Sequence, residues 1–177
     1  ERLLRYQLAH VNATHILGNM LTLMVVGSEV SEALGCNQFV LLALYLACGW
    51  AGGLCAALLS NGASTVGASG SVSGVIIALS VLRPNTAVQI LGDVEASNPL
   101  MLLGGTLAAD LSRRGVSWQA HFGGGLAGCV IALVVSCRAR TFGLRLTACF
   151  ALSFLVGLPV WLLPSEWCTS QALLEEF

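Results

Sequence analysis

The chain alternates between long apolar segments and short polar breaks. The hydrocarbon core of a bilayer is about 30 Å thick and needs roughly 20 apolar residues in one helix. Six apolar segments are candidates for helices in such a layer: about Asn12 to Val30, Gln38 to Ser60, Ser69 to Arg83, Pro99 to Leu111, Gln119 to Cys137 and Phe142 to Leu163. This pattern predicts an all-α fold, a polytopic transmembrane helical bundle.

The third segment differs from the others because Arg83-Pro84 ends it after roughly four turns, too few to cross a normal bilayer. Such a helix can begin at mid-depth if the loop before it lines a water-filled cavity. The stretch from Asn85 to Asn98 is mixed in polarity, and we expect a partly extended loop at the membrane surface. We assign residues 1–164 to a membrane domain and 165–177 to a short amphipathic, acidic tail.

Small residues recur at a spacing of four in three of these segments: Gly49 and Gly53, Gly70 and Gly74, and Gly124 and Gly128. In lipid, small residues at this spacing allow helix backbones to approach closely. The spacing therefore predicts a compact bundle rather than loosely tethered spans.

Composition supports the membrane class. The chain is 56% hydrophobic and 10% charged, with a mean hydropathy of +0.82, whereas soluble domains carry about 25% charged residues. The seven cysteines show no Cys-x-x-Cys spacing, so we expect no metal, and no cofactor is expected. Five cysteines lie in or beside apolar runs and are interpreted as small packing residues, whereas Cys36 and Cys168 are flanked by polar residues and are candidates for exposure. The net charge of −1 gives no sign of a nucleic-acid partner, and none is expected. The predicted surroundings are a lipid bilayer.

Two residues with nucleophile and base chemistry stand at the starts of apolar segments. Ser69 lies in Gly67-Ala68-Ser69-Gly70, where the flanking glycines leave its hydroxyl uncovered, and a helix N-terminus suits a developing oxyanion. His121 opens a later glycine-rich segment, and histidine within a membrane segment indicates function. The structural alternatives are a helix-capping serine on a packing face and an interfacial histidine bonded to a carbonyl.

A third motif runs from His10 to Asn19 and holds the other two histidines. His15 and Asn19 are four apart, so they share a helix face and could donate together to an oxyanion. The alternative for Asn19 is an interhelical hydrogen bond. Asp110 is the one aspartate placed to complete a catalytic triad, but we interpret it as interfacial.

Taken in order, His-x4-His-x3-Asn, Gly-Ala-Ser-Gly-Ser-Val-Ser-Gly and Ala-His-Phe-Gly-Gly-Gly-Leu-Ala-Gly resemble the rhomboid family of intramembrane serine proteases, over about Arg2 to Arg138. The resemblance implies a dyad in which Ser69 is the nucleophile and His121 the base. It also implies oxyanion-hole and supporting roles, carried by His15 and Asn19 for the hole and by His10, Gly67 and Gly70 for support.

The chain departs from the family pattern in two places. The family's first helix and the loop after it are absent ahead of His10, so we expect the natural N-terminus to be missing. Residues 1–177 alone should then enter a membrane but be inactive or nearly so, and the last helix would be an extra, seventh one. The second departure is Ser73, which stands where the family usually has an aromatic residue packed on the catalytic histidine.

The resemblance implies an integral, multi-pass membrane endopeptidase that cleaves transmembrane segments of other proteins. The alternative within the fold is a catalytically inactive relative that binds membrane proteins without cutting them. A small transporter or channel is the alternative from another class. A transporter or channel would need more polar residues lining a path across the membrane, and this interpretation leaves the three ordered motifs unexplained.

Overall fold

The computed structural model describes residues 2–59, 65–91, 94–111 and 117–136. The predicted sixth helix and the acidic tail lie outside these described residues. Within the described ranges the elements follow in this order: α1 Arg2–Arg5, α2 Ala13–Ala33, α3 Gln38–Leu59, α4 Ser69–Leu82, β1 Val88–Leu91, β2 Val94–Ala96, α5 Pro99–Leu111 and α6 Trp118–Ser136. The five helices predicted in these ranges are therefore present, and α1 is an addition.

Local chemistry sets the ends of α2. The side chain of Asn12 caps its start, because Asn12 Oδ1 accepts from the backbone N–H of His15 at 2.9 Å. The helix ends at Ala33, between Glu32 and Gly35, where the sequence predicts its end. It stops where Gly35 and Cys36 adopt φ angles of +78° and +59°, the left-handed conformation that commonly ends helices.

The polar stretch after α4 forms an antiparallel hairpin, β1 paired with β2, in which Val88 lies opposite Ala96. Val88 is completely buried, and β1 contacts α2. The predicted extended character is confirmed. The strands are too short to be distinguished from a loop by periodicity, and docking against α2 gives them their place.

Helix α4 lies at the centre of the described bundle, because it contacts α2, α3, α5 and α6. Its residues from Ser69 to Ile76 form an unbroken buried run. The core around it consists largely of aliphatic side chains from α2, α3 and α4, among them Val26, Val30, Leu44, Val75 and Leu79. A short apolar helix is thus stable here because protein surrounds it.

Glycines bring α4 and α6 into backbone contact, which confirms two of the three predicted pairs as helix-packing sites. A Cβ atom on Gly124 would overlap the carbonyl oxygen of Gly70, and one on Gly128 would overlap that of Gly74. The third pair packs differently. A Cβ on Gly49 would overlap the side chain of Gln7, and Gly53 faces Tyr6, so this pair receives side chains of the N-terminal segment.

Two described helices, α3 and α6, are long and apolar enough to cross a membrane, and α4 is a shorter apolar helix. The outer surface carries large apolar side chains, including Phe39, which is 82% exposed, and Met24, which is 71% exposed. An apolar exterior of this extent suits contact with lipid rather than water.

Candidate active site

The loop before α4 is held by the chain's first motif. Gly67 has a φ of +109°, a conformation that glycine adopts without strain. Its N–H donates to the carbonyl of Tyr6 at 3.0 Å, and the N–H of Ala68 donates to His10 Nε2 at 3.4 Å. These bonds fix the backbone immediately ahead of Ser69, which is the first residue of α4 and is buried.

His15 lies over the same loop. A Cβ atom on Gly67 would be 2.6 Å from His15 Cε1, so only glycine leaves room for the ring. The rings of His10 and His15 meet edge to face with centroids 5.1 Å apart. The structure thus brings together three of the residues predicted for the site: His10, His15 and Gly67.

Asn19 is one turn further along α2 than His15 and is also buried. Within the described part of the chain, its Nδ2 is buried and has no hydrogen-bond partner. Leaving a buried donor unsatisfied costs about 1–3 kcal/mol. A donor kept unsatisfied is suited to stabilise a negative charge that arises only during a reaction.

Tyr6 connects the N-terminal segment to α3 and α4, and sequence reasoning missed it. Its hydroxyl donates to the carbonyl of Gly49 at 2.8 Å, and a Cβ on Gly70 would lie 3.2 Å from the same oxygen. Burial raises the pKa of the Tyr6 phenol further above neutral pH, which disfavours loss of the proton that it donates. The sequence signal that could have indicated Tyr6 was the Gly49–Gly53 pair, because two glycines leave space on the surface of α3 that another side chain can fill.

His121 lies in the first turn of α6, next to the start of α4. The Ser117 hydroxyl accepts from the Ala120 N–H at 3.4 Å and so caps this turn. A Cβ on Gly70 would be 2.9 Å from the carbonyl oxygen of Ala120. The residue after Ser69 and the residue before His121 therefore contact each other, and both Ser69 and His121 are buried.

Ser73 hydrogen-bonds His121 directly. Its Oγ lies 2.8 Å from His121 Nδ1, and the two residues are only 2% and 6% exposed. The position that lacks the family's aromatic residue thus supplies a polar contact to the same imidazole. The sequence signal was the spacing, since Ser69 and Ser73 are four apart and share one face of a helix.

The remaining candidates are placed as follows. Asp110 lies in the last turn of α5, and its side chain is outside the described part of the structure. Among the described residues, no group of three histidine, cysteine or acidic side chains could hold a metal ion. The candidate site therefore offers a hydroxyl, an imidazole, and hydrogen-bond donors from an amide and a histidine ring.

Fold and site define a class: an all-α, apolar helical protein with serine and histidine in the buried first turns of two packed helices. The rhomboid-domain family model matches residues 1–138 of the 177-residue chain, and the chain belongs to the rhomboid family. This match confirms the resemblance carried by the three motifs. The family consists of integral membrane proteins that are intramembrane serine proteases or inactive relatives of them. No curated protein and no solved structure matches the chain significantly.

Proposed function

We propose that this protein is an intramembrane serine endopeptidase that cleaves transmembrane segments of other membrane proteins with a Ser69–His121 dyad. The main support for this proposal is the backbone contact between Gly70 and Ala120, which brings the buried first turns of α4 and α6 together. Membership of the rhomboid family supports the reaction class. Inactive relatives usually lack the serine or the histidine, and both are present here.

In the proposed reaction, His121 accepts the proton of the Ser69 hydroxyl while Ser69 Oγ attacks the scissile carbonyl. Because Ser73 occupies Nδ1, the nitrogen that acts is Nε2. The imidazolium then returns the proton to the leaving amine, and the Oγ–carbonyl bond remains as an acyl-enzyme. Water, deprotonated by the same imidazole, breaks this ester and regenerates Ser69.

The tetrahedral intermediate carries a negative oxygen that needs donors. Asn19 Nδ2 and the ring of His15 come from α2, and the first-turn N–H groups of α4 add the positive end of a helix dipole. Ala68, the residue before α4, makes no side-chain capping bond to these N–H groups. The donors are thus supplied by two elements that the Gly67 loop holds against each other.

The wider assignment follows from the same proposal. Residues 1–164 form the multi-pass membrane domain and 165–177 a short tail. The partners are the surrounding lipid bilayer and the transmembrane proteins that are cut. The apolar outer residues, such as Phe122 beside His121, support a substrate that approaches from lipid, since Phe122 is 57% exposed.

The test is cleavage of a model transmembrane substrate by the complete protein in proteoliposomes. Ser69→Ala and His121→Ala should each abolish cleavage, and the double variant should be no worse than either, because members of a dyad act as a unit. Ser80→Ala is the matched control, since its hydroxyl donates to the Ile76 carbonyl of the same helix. Unchanged cleavage by Ser69→Ala would refute the proposal, and a wild type that binds but never cuts would indicate the inactive relative.

A further inference from the structure

The contact between Ser73 and His121 joins two buried residues of different helices. Ser73 lies one turn after Ser69 on α4, and its Oγ is 2.8 Å from His121 Nδ1. A buried hydrogen bond to a histidine ring nitrogen restricts the orientation of the ring, and a hydroxyl partner accepts this bond when the nitrogen carries the proton. The Ser73–His121 hydrogen bond can therefore affect the chemistry of the imidazole as well as the packing of the two helices.

The proton on a neutral imidazole can reside on only one nitrogen. If His121 is to accept a proton at Nε2, its Nδ1 must already carry one and must donate it to an acceptor. A serine hydroxyl oxygen can accept that bond. After Nε2 has taken up its proton, Nδ1 still donates, so Ser73 Oγ serves both the neutral and the charged ring.

Backbone contacts determine the distance between Ser73 and His121. Gly74 follows Ser73, and a Cβ there would lie 2.6 Å from the carbonyl oxygen of Gly124, three residues after His121. The two helices therefore touch within one turn of the hydrogen bond. Because both backbones are fixed, the hydroxyl and the ring meet without help from a flexible segment.

The neighbouring Ser71 is bonded to the opposite side. It is also completely buried, but its hydroxyl donates to Gln7 Oε1 at 2.5 Å and has no role in the proposed reaction. Besides Ser69, the helix thus carries two buried serines two residues apart: Ser71 is bonded to the N-terminal segment and Ser73 to His121. This pair supplies a matched control.

We propose that Ser73 is a positioning residue that accepts a hydrogen bond from Nδ1 of His121 during the reaction and fixes the ring so that Nε2 faces Ser69. It takes the place that a carboxylate holds in a Ser-His-Asp triad. This proposal rests on the proposed protease function. It assigns to one serine both the orientation of the imidazole and the stabilisation of its charged form.

The test compares Ser73→Ala, Ser73→Thr and Ser71→Ala in the complete protein, with kcat and KM for a model transmembrane substrate and thermal unfolding in detergent. Ser73→Ala removes a hydrogen bond to the charged imidazolium. From the usual strength of such bonds we expect kcat to fall roughly 10- to 100-fold, with KM unchanged. Ser73→Thr retains the hydroxyl and should restore most of kcat. Ser71→Ala should lower the unfolding temperature by a similar amount to Ser73→Ala while leaving kcat near the wild-type value.

Three outcomes would overturn the inference. Ser73→Ala with wild-type kcat would show that the hydroxyl is dispensable. Equal losses of kcat in Ser73→Ala and Ser71→Ala would show that either serine merely supports the helix. A wild type that does not cleave, or cleavage that survives Ser69→Ala, would remove the proposed function and, with it, this role. Cleavage that depends on Ser69 but not on Ser73 would leave the proposed function intact.

Discussion

Substitution of Gly128 tests whether backbone contact between α4 and α6 holds the site together. Gly128 lies two turns beyond His121, so a change there touches no reacting group. A Cβ atom at this position would overlap the carbonyl oxygen of Gly74 and lie 2.8 Å from the Gly74 Cα. These are backbone atoms and cannot rotate away, so α6 must shift.

The magnitude follows from that overlap. Overpacking a well-packed site costs about 1–3 kcal/mol, and an obstacle made of backbone places Gly128→Ala at the upper end. A displacement of about 1 Å between catalytic groups can lower the rate roughly 10²-fold. We therefore expect Gly128→Ala to lose both thermal stability and most of its cleavage activity.

Gly125→Ala is the matched control on the same helix. Its Cβ would meet only the flexible side chain of Ile77, at an ordinary contact distance of 3.5 Å. Alanine is favoured over glycine in a helix by about 1 kcal/mol, so this variant should be as stable as the wild type or more stable. Both variants are compared by unfolding temperature in detergent and by cleavage in proteoliposomes. Gly128→Ala behaving like Gly125→Ala would refute the reasoning.

Two further predictions concern α2. Asn19→Ala should lower kcat by about 10²–10³-fold with little change in KM, measured on a model transmembrane substrate, since an oxyanion donor acts in the transition state; a raised KM with normal kcat would assign Asn19 to substrate docking instead. Arg83→Gln removes the ion pairs to Glu29 and Glu32 at 3.2 and 3.3 Å, and because these groups are partly exposed the unfolding free energy should fall by no more than about 1 kcal/mol; a larger loss, or a loss of cleavage, would contradict this.

The helical part of the fold was predictable because its signals are local. Apolar length located α3 and α6, and Pro84 marked the end of α4. Glycine spacing predicted close helix packing, which the structure shows between α4 and α6. The hairpin at Val88 was not, because its few residues become strands through pairing with each other and burial against α2. Such tertiary causes leave no periodic pattern in the sequence.

The candidate site, like the fold, was predictable from the sequence only in part. Its residue types and order were readable from three short motifs, and the structure places three of those residues, His10, His15 and Gly67, close together. Tyr6 was missed and Ser73 was noted only as a departure from the family pattern, because the importance of each residue depends on what faces it. Tyr6 fills the space beside Gly49, and Ser73 faces a ring 48 positions later in the chain.

The most direct measurement of the central claim is the site of covalent modification by a fluorophosphonate probe, mapped by peptide mass spectrometry on the membrane-embedded protein. An activated serine hydroxyl reacts with such a probe, whereas ordinary buried serines do not. The account predicts a single modification on Ser69, none on Ser71 or Ser73, loss of labelling in Ser69→Ala and near-complete loss in His121→Ala. Modification of another serine, or equal labelling of wild type and Ser69→Ala, would contradict it.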